Sequence, residues 1–101
     1  MIVGQMVFSK SGRDKGLPFI VCAIENNFVY LIDGKLRKIE TPKKKKVIHI
    51  QKTNYISSLA KNLSLIYNPS YDVDKANKLM LKNSDIRTEI KAAISISGKE
   101  V

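Results

Sequence analysis

The first half of this chain is divided into short strand-like runs by turn-forming residues, and this pattern limits the folds available to it. Asn26-Asn27 and Asp33-Gly34 are typical of tight turns between strands. Five short strands do not make a stable flat sheet with two exposed edges. We therefore expect the sheet to curl into a small, partly open barrel. The predicted strands are Gln5–Ser9, Phe19–Ile24, Phe28–Ile32, Leu36–Ile39 and Val47–Gln51.

The predicted architecture is mainly β, a five-stranded SH3-like barrel with C-terminal helices. Met6 and Phe8 fall on one face of the first strand, and Val7 on the other. The apolar run Phe19–Ile24 is typical of a central strand that is covered on both faces. Alternation along the strands predicts a core made of Val7, Phe19, Val21, Ile24, Val29, Leu31, Leu36, Ile48 and Ile50.

The second half has helical rather than strand-like periodicity. We divide the chain into a barrel over residues 1–52 and a helical C-terminal extension over residues 53–101. A first helix is predicted over 55–63, and a second follows Asp72 with one apolar face. Ser84 or Asp85 is placed to cap a last helix. The apolar faces around Leu79 and Ile90 are expected to pack on the barrel or to bind a protein partner.

Composition and charge restrict the class of protein. The 101 residues include 18 Lys and Arg against nine Asp and Glu, which gives a net charge of +9. Residues 1–52 hold 11 of the basic and four of the acidic side chains. Such an excess favours polyanionic partners, RNA first. The single cysteine rules out an intrachain disulfide. No apolar run approaches the ~18 residues needed to span a bilayer, and no leader-like start is evident, so we expect a cytoplasmic protein without membrane contact.

A basic, glycine-containing loop follows the first predicted strand. Glycines tolerate backbone angles that side chains forbid. Exposed amide groups and nearby cations both attract phosphate oxygens. Asp14 is expected to hold a neighbouring cation in place or to close the loop. The candidate RNA-binding residues here are Lys10, Gly12, Arg13, Lys15 and Gly16.

A second basic region combines a predicted strand with a lysine run. Seven cations fall within residues 35–46, and the run after Pro42 is expected to be extended and exposed because its charges repel one another. Phosphate groups would release counterions from such a cluster. The candidate residues are Lys35, Arg37, Lys38, Lys43, Lys44, Lys45 and Lys46.

Residues 4–54 resemble the KOW family of RNA-binding domains, which includes large-subunit ribosomal proteins and the C-terminal domain of the transcription factor NusG. The generic pattern is matched by Gly4, Val7, Ser9, Gly12, Arg13, Asp14, Gly16, Val21 and Ile24. The longer strings at 9–16, 33–38 and 42–46 are similar to bacterial relatives of an archaeal and eukaryotic ribosomal KOW protein, and the segment at 85–87 is similar to the terminal helix of such proteins. The resemblance implies a barrel whose first loop contacts RNA or protein.

These patterns predict a non-catalytic RNA-binding protein of the translation apparatus that contacts structured, ribosomal RNA. The alternative is an SH3-like protein-interaction module in transcription or ribosome-associated regulation. Catalysis is not expected, since nothing orients a Cys22–His49 pair as nucleophile and base. We expect no metal and no cofactor.

Overall fold

The computed structural model describes residues 1–97, which form a five-stranded antiparallel sheet and three helices. The order of the strands in the sheet is β4-β3-β2-β1-β5. A short 3-10 helix, Val47–His49, joins β4 to β5. The strands are β1 (Gln5–Ser9), β2 (Pro18–Glu25), β3 (Phe28–Ile32), β4 (Lys43–Lys46) and β5 (Ile50–Ile56), and the helices are α1 (Ala60–Ile66), α2 (Val73–Lys78) and α3 (Asn83–Ser97).

The short link between β4 and β5 requires a strongly curved sheet. These two strands form opposite edges of the sheet, although they are consecutive in the chain. In a flat sheet β4 and β5 would lie four strand spacings apart, or about 19 Å. The four peptide steps from Lys46 to Ile50 span at most about 14 Å when fully extended. The link is also compact and held at both ends, since Val47 N–H donates to the Asn27 carbonyl and Lys10 N–H donates to the His49 carbonyl. Within residues 1–97, no ladder joins β4 to β5, and the sheet is therefore open.

Each face of the curved sheet has its own apolar core. The concave face carries the six buried side chains Val7, Phe19, Val21, Val29, Leu31 and Ile50. The opposite face packs against the helices through Met6, Phe8, Ile20, Cys22 and Ile32, with Leu63, Ile86, Ile90 and Ala93. The alternation predicted for β1 and the two-sided burial predicted for β2 are confirmed.

Polar contacts fasten α3 to the sheet. The Glu89 carboxylate accepts hydrogen bonds from the Ser57 hydroxyl at 2.5 Å and from Ser58 N–H at 3.0 Å. At the N-terminal end of the helix, Asn83 Oδ1 accepts from Ile39 N–H, and Arg87 Nη1 donates to the Gly34 carbonyl at 2.6 Å. The helix is thus tied to the segment that follows β5 and to the β3–β4 loop.

The prediction of a strand at Leu36–Ile39 is wrong, and with it the tight hairpin at Asp33-Gly34. The Asp33 carboxylate accepts the N–H groups of Lys35 and Arg37, and the N–H groups of Asp33 and Gly34 bond to the Arg37 carbonyl. These bonds fold the segment into a compact turn, which leaves Leu36 71% exposed.

Six of the nine predicted core residues are buried on the concave face, and three are not. Ile24 is 41% exposed near the end of β2, and Ile48 is 71% exposed in the 3-10 helix, where a strand was predicted. Leu36 is the third, for the reason given above. Each lies where the alternation of a strand breaks down at a turn or strand end.

The helical half begins later than its sequence indicates. β5 continues to Ile56, so the division placed at residue 52 falls inside a strand, and α1 starts only at Ala60. Asp72 caps α2 by accepting from the N–H groups of Asp74 and Lys75. In α3, Ile86, Ile90 and Ala93 are buried as their spacing predicts, whereas Ile94, the fourth residue of the predicted apolar face, is 40% exposed. Gly98 and the charged C-terminal end predict fraying, but these residues lie outside the part of the chain that the structure describes.

Candidate nucleic-acid interface

The loop between β1 and β2 is closed by its own backbone. Gly16 N–H donates to the Ser9 carbonyl at 2.8 Å, Leu17 N–H to Asp14, and Lys15 N–H to Gly12. Gly12 and Gly16 have φ angles of +81° and +85°, which glycine adopts without the penalty that a Cβ would add. The amide groups of residues 15–17 therefore point into the loop and are not available to a phosphate, contrary to the sequence-based expectation of open amides.

A buried ionic network lies beneath this loop. Lys45 Nζ donates to Asp14 Oδ1 at 2.7 Å, to Ser9 Oγ at 2.6 Å and to the Ser11 carbonyl at 2.7 Å. The Ser9 hydroxyl in turn donates to Asp14 Oδ1 at 2.7 Å. An ammonium group has three N–H donors, so Lys45 has none left for another ligand.

Asp14 is ionised because its neighbours outweigh its burial. Burial alone would raise the pKa of the carboxyl group. The hydrogen bonds from Lys45 and Ser9, with Lys43 Nζ at 3.0 Å from Oδ2, instead hold the pKa of Asp14 well below its usual 3.8. Asp14 thus binds cations from β4, and not Arg13 or Lys15 as its sequence position suggests.

The lysine run forms β4, an edge strand that pairs with β3, and it is not an exposed loop. Lys45 pairs with Val29 and shares its buried, concave face, where the lysine is 8% exposed. Lys43 contacts Asp14, and Lys44 Nζ lies 3.5 Å from Glu25 and 4.4 Å above the Phe28 ring. The prediction that all four lysines are exposed is therefore wrong for Lys45.

The cations of two loops lie at the same end of the sheet. β1 ends beside the start of β2, with Phe8 opposite Pro18, and β3 ends with Ile32 opposite Ile20. The β1–β2 loop and the β3–β4 loop therefore leave the sheet side by side. Six exposed basic residues occupy them, and none forms a salt bridge within residues 1–97: Lys10, Arg13 and Lys15 in the first loop, and Lys35, Arg37 and Lys38 in the second.

Each of the four carboxylates of the first half has other partners, and within residues 1–97 none forms a salt bridge with these six cations. Asp14 is bound by Lys43 and Lys45, and Glu25 accepts from the Tyr30 hydroxyl near Lys44. Asp33 accepts from backbone amides, and Glu40 accepts from the Asn83 side chain. We name the six exposed basic residues the loop cations.

Sequence reasoning assigned the wrong task to Lys45 and Asp14. A run of four lysines shows no alternation of apolar and polar residues, so nothing in it indicates which side chain turns inward. The one available signal was Asp14 itself, an acidic residue in a loop that is otherwise basic. Its partner came from a strand 31 residues away, and only the fold could identify it.

The single cysteine, Cys22, is buried in the core that faces the helices. Burial raises the pKa of Cys22 to about 12, against a smaller opposing effect from Tyr67, so its thiolate is scarce at neutral pH. Within residues 1–97, no three His, Cys, Asp or Glu side chains are grouped so that they could hold a metal ion. Among the helices of the same residues, none is long and apolar enough to cross a membrane.

In comparisons with known proteins, no family model and no curated protein matches this chain.

Proposed function

We propose that this chain is a non-catalytic RNA-binding protein of the translation apparatus that contacts the backbone of structured, ribosomal RNA in the cytoplasm. The observation that carries the proposal is the grouping of the loop cations, six exposed basic side chains that form no salt bridge within residues 1–97, at one end of the sheet. Phosphate groups that bind there release counterions, and this release favours association.

The KOW resemblance supports the same site. The glycine loop that carries the resemblance contains three of the loop cations, Lys10, Arg13 and Lys15. We further infer that the curved sheet belongs to the SH3-like class of small barrels. This inference is supported by the placement of β5 beside β1 and by the three-residue link between the edge strands, since together they bring the two edges of the sheet close to each other.

The proposed binding surface is smaller than the one predicted from sequence. Lys45 is saturated with internal partners, and Lys43 and Lys44 are held near carboxylates. Lys46 is exposed, but it lies at the far end of β4, opposite Phe28. We therefore assign phosphate contacts to the two loops, and a structural task to the lysine run.

Backbone recognition suits this surface better than reading of bases. The loop cations are flexible point charges or guanidinium groups on exposed loops, and the two loops contain no aromatic side chain on which a base could stack. Contacts to phosphate fix position and orientation but carry little sequence information. Shape and charge of a folded RNA are then the main determinants of affinity.

A pair of double variants tests the site. Arg13→Ala with Lys15→Ala removes two loop cations, and binding to fragments of ribosomal RNA is measured over a range of salt concentrations. Each phosphate interaction that is removed lowers the slope of log affinity against log salt by about 0.7 to 0.9. Because both side chains are exposed and make no salt bridge within residues 1–97, thermal unfolding should be nearly unchanged.

The matched control is Lys61→Ala with Lys78→Ala, which removes the same charge from exposed positions on α1 and α2. It should retain the slope of the parent protein. Equal losses in the two double variants would mean that net charge, and not the loop, drives binding. Sequencing of RNA that is crosslinked to the protein in growing cells identifies the ligand, and an absence of ribosomal fragments would exclude the ribosomal assignment.

A further inference from the structure

A groove runs between the two basic loops and helix α3. Its volume is about 350 Å³, and its apolar wall includes Leu17, Pro18, Leu36 and Ile90. Leu36 is 71% exposed and Leu17 is 41% exposed, whereas Ile90 is buried and forms the floor. Two exposed leucines beside a buried isoleucine make a continuous apolar surface, which an exposed turn does not need for its own stability.

The charged side chains along the groove are almost all basic. Lys35 comes from the β3–β4 loop, and Arg87 and Lys91 come from successive turns of α3. Among residues 1–97, Asp33 is the only acidic residue in the lining, and its carboxylate already accepts the N–H groups of Lys35 and Arg37. An occupant that matches this groove carries negative charge around a bulky apolar centre.

We propose that this groove binds an acidic amphipathic segment of a partner protein. Leucine-like side chains of the segment pack against Leu17 and Leu36, and its carboxylates face Lys35 and Lys91. The argument is charge complementarity combined with the aliphatic character of the wall. RNA is the less suitable occupant of the apolar wall, because a sugar-phosphate backbone has no bulky aliphatic group to pack there and, within residues 1–97, the lining includes no aromatic ring to stack on a base. Binding of an amphipathic helix in a groove commonly combines apolar packing with charge complementarity.

Arg87 shapes the groove from within. Its Nη1 donates to the Gly34 carbonyl at 2.6 Å, which holds the β3–β4 loop against α3. The distance between the two walls therefore depends on a contact that exists without a ligand. A groove of this kind is largely formed before its partner arrives, and little ordering of the protein is needed on binding.

The test uses the full chain labelled with ¹⁵N and a synthetic amphipathic peptide of about a dozen residues, with leucines on one helical face and glutamates elsewhere. We expect the peptide to shift the amide signals around Leu17, Leu36 and Ile90. Leu36→Ser should weaken the peptide about tenfold, since a leucine side chain that the peptide would bury is removed. A peptide of the same composition with its leucines dispersed around the helix should bind less tightly.

Two control variants separate the groove from general effects. Ile48→Ser removes an apolar side chain that is equally exposed, at 71%, outside the groove, and it should leave peptide affinity unchanged. Lys91→Glu should weaken the peptide, whereas Lys61→Glu on α1 should have little effect. The proposal is overturned if Leu36→Ser and Ile48→Ser act alike, if the shifts lie elsewhere, or if oligouridine RNA and not the peptide shifts the groove signals.

Discussion

Lys45 Nζ and Asp14 Oδ1 are 2.7 Å apart, although 31 residues separate them in the chain. The contact joins edge strand β4 to the loop that follows β1, across the concave face of the sheet. In a flat sheet three strand spacings, about 14 Å, would separate β4 from β1, which is beyond the reach of a lysine side chain. The ion pair therefore depends on the curvature of the sheet and stabilises it in turn.

Lys45→Met should destabilise the protein by about 3 kcal/mol. Within residues 1–97, the variant leaves the buried Asp14 carboxylate with only the contacts of Ser9 and Lys43. Methionine is unbranched like lysine and only one heavy atom shorter, and it removes the charge and the hydrogen-bond donors. The measurement is the midpoint of urea unfolding. Lys46→Met is the matched control, since this neighbouring lysine is exposed and has no salt bridge within residues 1–97, and it should change stability by less than about 0.5 kcal/mol.

The double variant Lys45→Met with Asp14→Asn should be more stable than Lys45→Met alone. Removing both charges eliminates the uncompensated carboxylate, and replacement of a complete buried pair is often close to neutral. A double-mutant cycle on the urea midpoints gives the coupling directly. Strictly additive effects would show that the two charges do not interact in the folded protein.

Much of the β-rich half could be predicted from local pattern alone. β1 and β3 occur at the predicted bounds, because each is a short run of apolar and β-branched residues that is closed by turn chemistry. The six confirmed core residues lie inside regular strands, where a period of two holds. Local propensity and burial favour the same conformation there, so sequence was a sufficient guide.

The errors occur where contacts between distant residues decide the conformation. The segment around Leu36 has residue types that are common in strands, but the Asp33 side chain holds this segment in a turn. Lys45 has no apolar neighbour in sequence, yet it lies inside because Asp14 and Ser9 meet it there. The candidate site shows the same difference. The exposure of the loop cations could be predicted from sequence, whereas the burial of Lys45 in β4 could not.

The protein should become less stable in acid, because the Asp14 carboxylate is protonated there. The pKa of this carboxyl group is lower in the folded protein than its usual 3.8, so the folded state binds fewer protons than the unfolded chain does. Its contribution is complete above the unfolded pKa and is lost as pH falls further. In Asp14→Asn this contribution to the free energy of unfolding is absent, so the variant should not lose it between about pH 5 and about pH 3. Urea midpoints measured at each pH test this expectation.

Glu25→Gln is the control for this titration. Glu25 also lies near a lysine, with Nζ of Lys44 at 3.5 Å, but the side chains are 59% and 47% exposed. Water and salt screen such a pair, so its removal should hardly alter the acid dependence. If Glu25→Gln and Asp14→Asn flattened the profile equally, burial of the Asp14 network would not be the cause.

Gly34→Ala should be far more damaging than Gly16→Ala. Both glycines have positive φ angles, +75° and +85°, and each substitution costs about 1 to 2 kcal/mol for the backbone conformation. A Cβ on Gly34 would in addition lie 2.3 Å from the Asn83 carbonyl oxygen, whereas one on Gly16 meets nothing within 4 Å. Gly34→Ala must therefore displace α3 from the β3–β4 loop.

Thermal unfolding of the two glycine variants measures this difference. Gly16→Ala should retain the near-native spectrum, with a modest decrease in melting temperature. Gly34→Ala should also perturb the amide signals at the start of α3, because the Arg87 hydrogen bond to the Gly34 carbonyl is strained with it. Similar melting temperatures for the two variants would contradict the close packing of loop and helix.

RNA binding should distinguish the two basic regions of the chain at equal net charge. Arg37→Ala with Lys38→Ala removes two loop cations, and Lys44→Ala with Lys46→Ala removes two lysines of β4. We expect the first pair to lower the salt slope of RNA binding by about 0.7 to 0.9 for each phosphate group that is no longer bound, and the second to leave it nearly unchanged. Both pairs subtract two charges, so long-range attraction falls equally and only local binding differs. A larger effect in the β4 pair would move the RNA surface from the end of the sheet to its edge, because Lys44 and Lys46 are the exposed members of that strand.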